Sequence, residues 1–177
     1  MHAPSAISAA LATLAVALQV GQAAAGPATA PTHRPALPLH GVLVPGKSLA
    51  GVYLGDDVDV VTRRLGAFSR CSVCTRTTRL FQYENLLGLA LTFDRDRKLT
   101  AVFTLGAPQG WQTRQGLRLG APSQAIAELY GAKVRATSCT GYIAWSMRSG
   151  DTVTSIYDDG QSVYGFALTR PAGAICQ

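Results

Sequence analysis

Two stretches of this chain read alike: residues 51–66 (GVYLGDDVDVVTRRLG) and residues 116–131 (GLRLGAPSQAIAELYG). Each opens on a short apolar strand ending in Leu-Gly, continues as a turn or two of helix and closes on glycine. The same order of strand-like segments follows each copy. Such self-similarity constrains architecture before any local propensity does, because each copy is one supersecondary unit that has to bury its apolar face against a neighbour. The reading is an α+β chain of two tandem repeats, each a short helix packed on a three-stranded antiparallel sheet. The first repeat is assigned to residues 47–115 and the second to residues 116–177.

In the first copy Asp56 is expected to cap the helix, its carboxylate accepting free amide protons of the first turn. Asp57 and Asp59 suit the positive end of the helix dipole. Val58, Val61 and Leu65 recur at helical spacing, and Gly66 supplies the stop, so the helix is predicted over residues 57–65. Strands are predicted over 79–84, 87–94 and 99–105. Leu89, Leu91 and Phe93 alternate with smaller residues there, as in a half-buried strand. In the second copy Pro122 suits the first helical position, where its missing amide proton costs nothing. Ala125, Ile126, Leu129 and Tyr130 form the expected buried stripe, and Gly131 the stop. Strands follow over 142–147, 152–158 and 162–169, the last two joined by the turn signal Asp158-Asp159-Gly160. Matching Phe93-Asp94 with Tyr157-Asp158 brings the two copies into register. Trp111, in the joining segment 107–115, reads as a plug between lobes.

The ends point to export. Residues 6–20 are an apolar run rich in Ala and Leu, and Ala23-Ala24-Ala25 is a small-residue cleavage site, so residues 1–25 read as a signal peptide. The run is shorter than the roughly 20 residues that a spanning helix needs, which argues against stable membrane insertion. Residues 26–46 carry Pro27, Pro31, Pro35, Pro38 and Pro45 with little apolar pattern and read as a tether. All 16 basic and 10 acidic residues lie after the cleavage site, so the exported chain keeps its formal charge of +6. Scattered arginines without a basic helix argue against nucleic acid as a partner.

Four cysteines in an exported chain argue for two disulfides. Three pairings of Cys71, Cys74, Cys139 and Cys176 are open. Cys71–Cys74 with Cys139–Cys176 is preferred, since the second bridge ties the tail to its own repeat, and Cys74–Cys139 between the repeats competes. A redox reading of the Cys71-Ser-Val-Cys74 motif is weak, because a thioredoxin-type pair sits at a helix N-terminus whereas this one follows a helix. His2, His33 and His40 all precede the expected folded region, so histidine-based catalysis and histidine-based metal sites are not expected in it. No cofactor or metal is expected, and no set of residues converges into catalytic roles.

The pattern Gly-x-x-Leu-Gly, a short helix closed by Leu-Gly or Tyr-Gly and a three-stranded meander, resembles a superfamily of exported proteins. Leu54-Gly55, Gly66, Leu119-Gly120 and Gly131 carry the resemblance, which covers residues 49–170. It is similar to the β-lactamase inhibitory proteins, built from tandem helix-plus-sheet repeats, and to the small lipoprotein of the outer-membrane β-barrel assembly machine, which has one such repeat. The resemblance implies protein–protein recognition through an aromatic-rich sheet face and protruding loops. Tyr142, Trp145, Tyr157, Tyr164 and Phe166 make the second copy aromatic. By alternation Tyr142 points opposite to Trp145, so at least one large aromatic faces away from the helices. The expectation is a non-enzymatic, periplasmic or secreted binding module, in its sharpest form an inhibitor of an envelope or extracellular enzyme. Its partner is another exported protein, and Trp111, Tyr142, Asp94, Arg95, Arg97 and Asp159 are the expected contact residues. Two alternatives stand beside it: an envelope component binding an acidic glycan or lipid surface, suggested by the charge, and a thiol–disulfide oxidoreductase using Cys71 and Cys74.

Overall fold

The computed structural model describes residues 41–69, 77–83, 87–173 and 175–176. Among them the chain forms β1 (Val42–Val44), β2 (Ser48–Leu49), β3 (Val52–Tyr53), α1 (Val58–Leu65), β4 (Thr78–Tyr83), β5 (Leu87–Phe93), β6 (Leu99–Leu105) and β7 (Gln112–Thr113). These are followed by α2 (Gln124–Tyr130), a 3₁₀ turn (Gly131–Lys133), β8 (Arg135–Cys139), β9 (Tyr142–Ser149), β10 (Thr152–Asp158) and β11 (Val163–Thr169). The result is a mixed α+β fold dominated by sheet.

A seven-stranded sheet runs in the order β4-β5-β6-β11-β10-β9-β8, and every neighbouring pair in it is antiparallel. A smaller sheet runs β3-β2-β1-β7, with β1 antiparallel to β2 and parallel to β7. The expected pair of three-stranded sheets is therefore one continuous sheet, closed at its centre by β6 against β11. Alternation gives this sheet an inner and an outer face. The inner face supplies Leu89, Leu91, Val102, Ile156, Phe166 and Leu168 to one core, which also takes Val61 and Leu65 of α1, Ile126 and Tyr130 of α2, and Leu43, Leu49, Val52 and Trp111 from around the small sheet. The Gly46 amide reaches the buried Thr154 hydroxyl of β10 at 2.7 Å, fastening the small sheet to the inner face.

The two Leu-Gly motifs do the same work. Gly55 N–H donates to Leu99 O and Leu99 N–H to Asp56 O, while Gly120 N–H donates to Val163 O and Val163 N–H to Ala121 O. Two residues further on, Val58 N–H meets Arg97 O as Ser123 N–H meets Gln161 O, and the Gly66 and Gly131 amides close α1 and α2 onto Thr62 O and Ala127 O. Each motif thus clips a helix start to the hairpin that follows it.

Several local expectations are corrected. Asp57, not Asp56, caps α1, accepting from the Asp59 amide at 2.9 Å. Asp56 instead takes the Tyr53 amide and pairs with Arg64 at 3.2 Å. Pro122 does not open α2. It lies before the Ser123 cap and bridges to Ser162, while Leu129 faces out at 42% exposure. Residues 117–119 form no strand; Arg118 makes an isolated bridge to Gln112. The segment expected as a tether is already folded at its end, for Leu43 of β1 is fully buried. Gly41 is part of that body, since a Cβ there would lie 2.3 Å from the Trp111 ring. The register between the halves also moves by one residue. Both hairpins carry a β-bulge, with Thr100 extra opposite Thr92/Phe93 and Tyr164 extra opposite Tyr157/Asp158. The turns differ in length, 94–98 between Phe93 and Leu99 against 159–162 between Asp158 and Val163, so it is Asp158 that sits in its hairpin as Phe93 does in its own, and Asp94 and Asp159 each accept backbone amides within their turns.

Candidate functional site

The β10–β11 hairpin determines what the outer face presents. Asp159 opens its turn, its Oδ1 accepting the Gln161 and Ser162 amides at 2.9 and 2.8 Å, and these bonds hold the carboxyl below the usual range. The bulge then sets Tyr164 and Gly165 together opposite Tyr157. Val163 and Phe166, three residues apart, both stay in the core, and Tyr164 is turned to the outer face. Re-aiming a side chain is a recognised use of a bulge. The missing side chain of Gly165 matters as well, because a Cβ there would stand 3.2 Å from the Tyr157 ring and 3.3 Å from the Thr104 hydroxyl.

Beyond Phe103 the seam between β6 and β11 opens. Main-chain pairing ends at Ala167 opposite Phe103, and the Thr104 hydroxyl accepts the Phe166 amide at 2.9 Å where a carbonyl would otherwise stand. The gap widens into a groove of about 310 Å³ floored by Ala90, Phe103 and Leu105 and walled by Tyr142, Tyr157 and Tyr164. Tyr142 stands edge-on to both other rings, at 5.7 Å from Tyr157 and 6.0 Å from Tyr164, and the latter two stack at 6.2 Å. Edge-to-face and offset geometries are those that favour aromatic pairing. Among the described residues the lining holds no carboxylate and no amine. The site offers apolar area, ring faces and phenol hydroxyls.

The C-terminal tail borders this surface. β11 ends at one end of the sheet, and Cys176 is bonded to Cys139 at the end of β8, with Cα atoms 5.6 Å apart. Between them Ile175 packs on the outer face with Ala144, Tyr157 and Ala167. This is the expected Cys139–Cys176 bridge, and it excludes Cys74–Cys139. Cys71 and Cys74 lie outside the described residues, and with them the expected Cys71–Cys74 bridge and the redox motif.

Of the expected contact residues, the structure places Tyr142 in the groove. Trp111 is fully buried, which overturns it as a contact and fits its reading as a plug. Asp94, Arg95 and Arg97 are exposed in the β5–β6 turn, where Arg97 pairs with Asp59 at 2.6 Å. Because β6 and β11 are antiparallel, that turn and the Asp159 turn stand at opposite ends of the sheet, so these residues form no single site. Sequence reasoning left Phe103 and Leu105 out of any site. The alternating apolar residues of β6 were the available signal, but they gave no sign of the seam opening.

Burial, with Tyr142 and the Asp158 and Asp159 carboxyls nearby, pushes the Tyr164 phenol above its ordinary value of 10.0. A group whose folded pKa is raised stabilises the fold below its unfolded value and loses that contribution as pH rises through the folded one. The melting temperature is therefore expected to fall as pH climbs above about 10, and Tyr164→Phe should remove part of that fall. An equally deep decline in Tyr164→Phe would sink the assignment. Burial raises Tyr130 too, so some decline should persist in the variant.

No protein-family model matches this chain, and no curated protein matches it. It is similar in structure to a DUF4309 family protein, YjgB, from Bacillus subtilis, with a TM-score of 0.51 at 13% identity over 68% of this chain and 82% of that one. That likeness concerns the fold alone. A cysteine-rich secretory protein from Staphylococcus aureus aligns with a TM-score of 0.43 at 14% identity, over 72% of this chain and 50% of that one. Neither is a β-lactamase inhibitory protein or a barrel-assembly lipoprotein. Among the described residues no helix is long and apolar enough to cross a membrane, and no three His, Cys, Asp or Glu gather as a metal site.

Proposed function

We propose that this chain is an exported, non-enzymatic protein-binding module, made of a signal peptide, a proline-rich tether and two α+β repeats, whose outer sheet face receives a segment of another exported protein. The tyrosine groove is the observation that carries this reading. Three aromatic rings around an apolar floor on an open sheet face suit the anchoring of a large apolar side chain, and aromatic pockets of this kind dominate binding energy at interfaces. The paired Leu-Gly clips support the repeat organisation, and the Cys139–Cys176 bridge suits an oxidising compartment. Among the described residues the groove is lined by aromatic, aliphatic and hydroxyl side chains, which suit binding. Inhibition of a partner enzyme remains the sharpest form of this function.

The test uses the purified chain, wild type and Tyr142→Ala/Tyr164→Ala, cross-linked mildly to envelope and culture-fluid proteins of its own host at physiological salt. The expected result is one saturable protein partner captured by the wild type and lost in the variant. Capture that is identical in both would remove the groove from the function.

A further inference from the structure

The outer face is not uniformly apolar. The register Tyr157↔Ala144, Ser155↔Ser146↔Arg135 and Val153↔Arg148 places Arg135 and Arg148 on the same face as the tyrosines, toward the opposite end of the strands. Lys133 joins them at the rim of a second cavity, of about 400 Å³, bordered by Val153 and by Ile175 of the tail. All three cations are exposed, and among the described residues none lies within ion-pair distance of a carboxylate. Arg64, Arg97 and Lys98 pair with Asp56, Asp59 and Asp57, whereas Lys47, Arg63, Arg95, Arg114 and Arg118 are exposed like the outer-face three; what sets Lys133, Arg135 and Arg148 apart is that they gather on one face beside the groove. From Tyr157 to Val153, the neighbour of Arg148, is four residues of β10, about 13 Å at the usual strand rise. A small-residue row of Ser146, Ser155 and Ala167, next to which Ile175 of the tail packs, separates the aromatic end from the basic end.

We infer that the partner segment is an acidic peptide: a large apolar residue seats in the tyrosine groove, and carboxylates several residues away meet Lys133, Arg135 and Arg148. This rests on the groove being a peptide-binding surface, as proposed above. Charge complementarity makes the choice. An apolar partner needs nothing from the three unpaired cations, and a basic one is repelled by them. Carboxylates at arginine also gain the two-pronged hydrogen bonding that guanidinium offers. Exposed pairs of this kind act chiefly on encounter rate and specificity, so their signature is salt dependence.

Random peptides displayed on phage are selected against the full chain, and the selected peptides are then titrated onto wild type, Arg135→Gln/Arg148→Gln and Tyr142→Ala/Tyr164→Ala. Circular dichroism first shows that each variant is folded; the exchanged side chains are exposed or half-buried. Wild type is expected to select peptides with one large apolar residue and Asp or Glu several positions away. Their affinity should fall steeply with salt, drop about tenfold in the arginine variant and vanish in the tyrosine variant. Selected peptides without acidic residues, or with undiminished affinity for the arginine variant, would overturn the acidic-partner inference and leave the groove reading standing. Peptides that bind the tyrosine variant as tightly as wild type, or no selection at all, would overturn both.

Discussion

Asp158→Ala is expected to cost the fold about 4 kcal/mol, a large share of what holds a domain this size together. Asp158 is almost completely buried at the foot of β10. Its Oδ1 accepts the Gly160 amide at 2.7 Å and the Ser123 hydroxyl at 3.0 Å, and its Oδ2 accepts the Trp145 indole N–H. The three donors belong to the β10–β11 turn, the cap of α2 and the inner face of β9. Alanine takes the one shared acceptor from all three donors, half-buried at Ser123 and Trp145 and exposed at Gly160, and hydrogen bonds to a carboxylate are the stronger kind to lose. The change also loosens the turn that presents Tyr164. Equilibrium denaturation in guanidinium would read the loss, with Asp158→Asn, which keeps one acceptor oxygen, falling between. A loss below about 1 kcal/mol for alanine would mean that the three bonds are not what holds this corner.

The second large effect comes from the tail. Cys139→Ser/Cys176→Ser should cost about 4 kcal/mol, the loop-closure value for a bridge spanning 37 residues. The double substitution targets this bridge alone, where a reducing agent would act on every cystine at once. Beyond the entropy restored to the unfolded chain, the native state loses the anchor that holds Ile175 over Ala144 and Ala167. The variant should therefore lose stability and become open to carboxypeptidase digestion up to the end of β11. A shift below about 1 kcal/mol with an equally protected tail would show that packing alone pins the segment.

Where side chains alternate in long apolar runs, the sequence was readable. β5, β6, β10 and β11 end within a residue or so of their expected limits because leucines, valines and phenylalanines recur at the strand period. The separation of Tyr142 from Trp145 followed from the same period. What stayed hidden lay where main-chain geometry departs from that period, or where polar residues do structural work. β8, Arg-Ala-Thr-Ser-Cys, lies last in the sheet order with little to bury, and so carries no apolar signature. The two bulges each add a residue and so reverse inside and outside along a strand, and the first turn is one residue longer than the second, which is why the halves matched one residue out of register. Trp111 and Gly41 find each other across more than half the folded chain, a contact that no local pattern encodes. The groove was half legible. Its tyrosines stood out by chemistry, whereas its shape depends on the Thr104 hydroxyl standing in for a backbone carbonyl.

The seam between β6 and β11 has a consequence for how the chain assembles itself. It joins residues such as Thr104 and Phe166, 62 positions apart, so the centre of the sheet is the last part that local hairpin formation can supply. Until it closes, each half ends in a bare row of amides and carbonyls that fits the other half of any copy as well as its own. The loop of Gly106–Gly110, with left-handed glycines at both ends, leads from β6 into β7, which pairs with β1 rather than with the second half of the large sheet. The race between closing on itself and closing on a neighbour is then a matter of how many other copies are near while the seam is open.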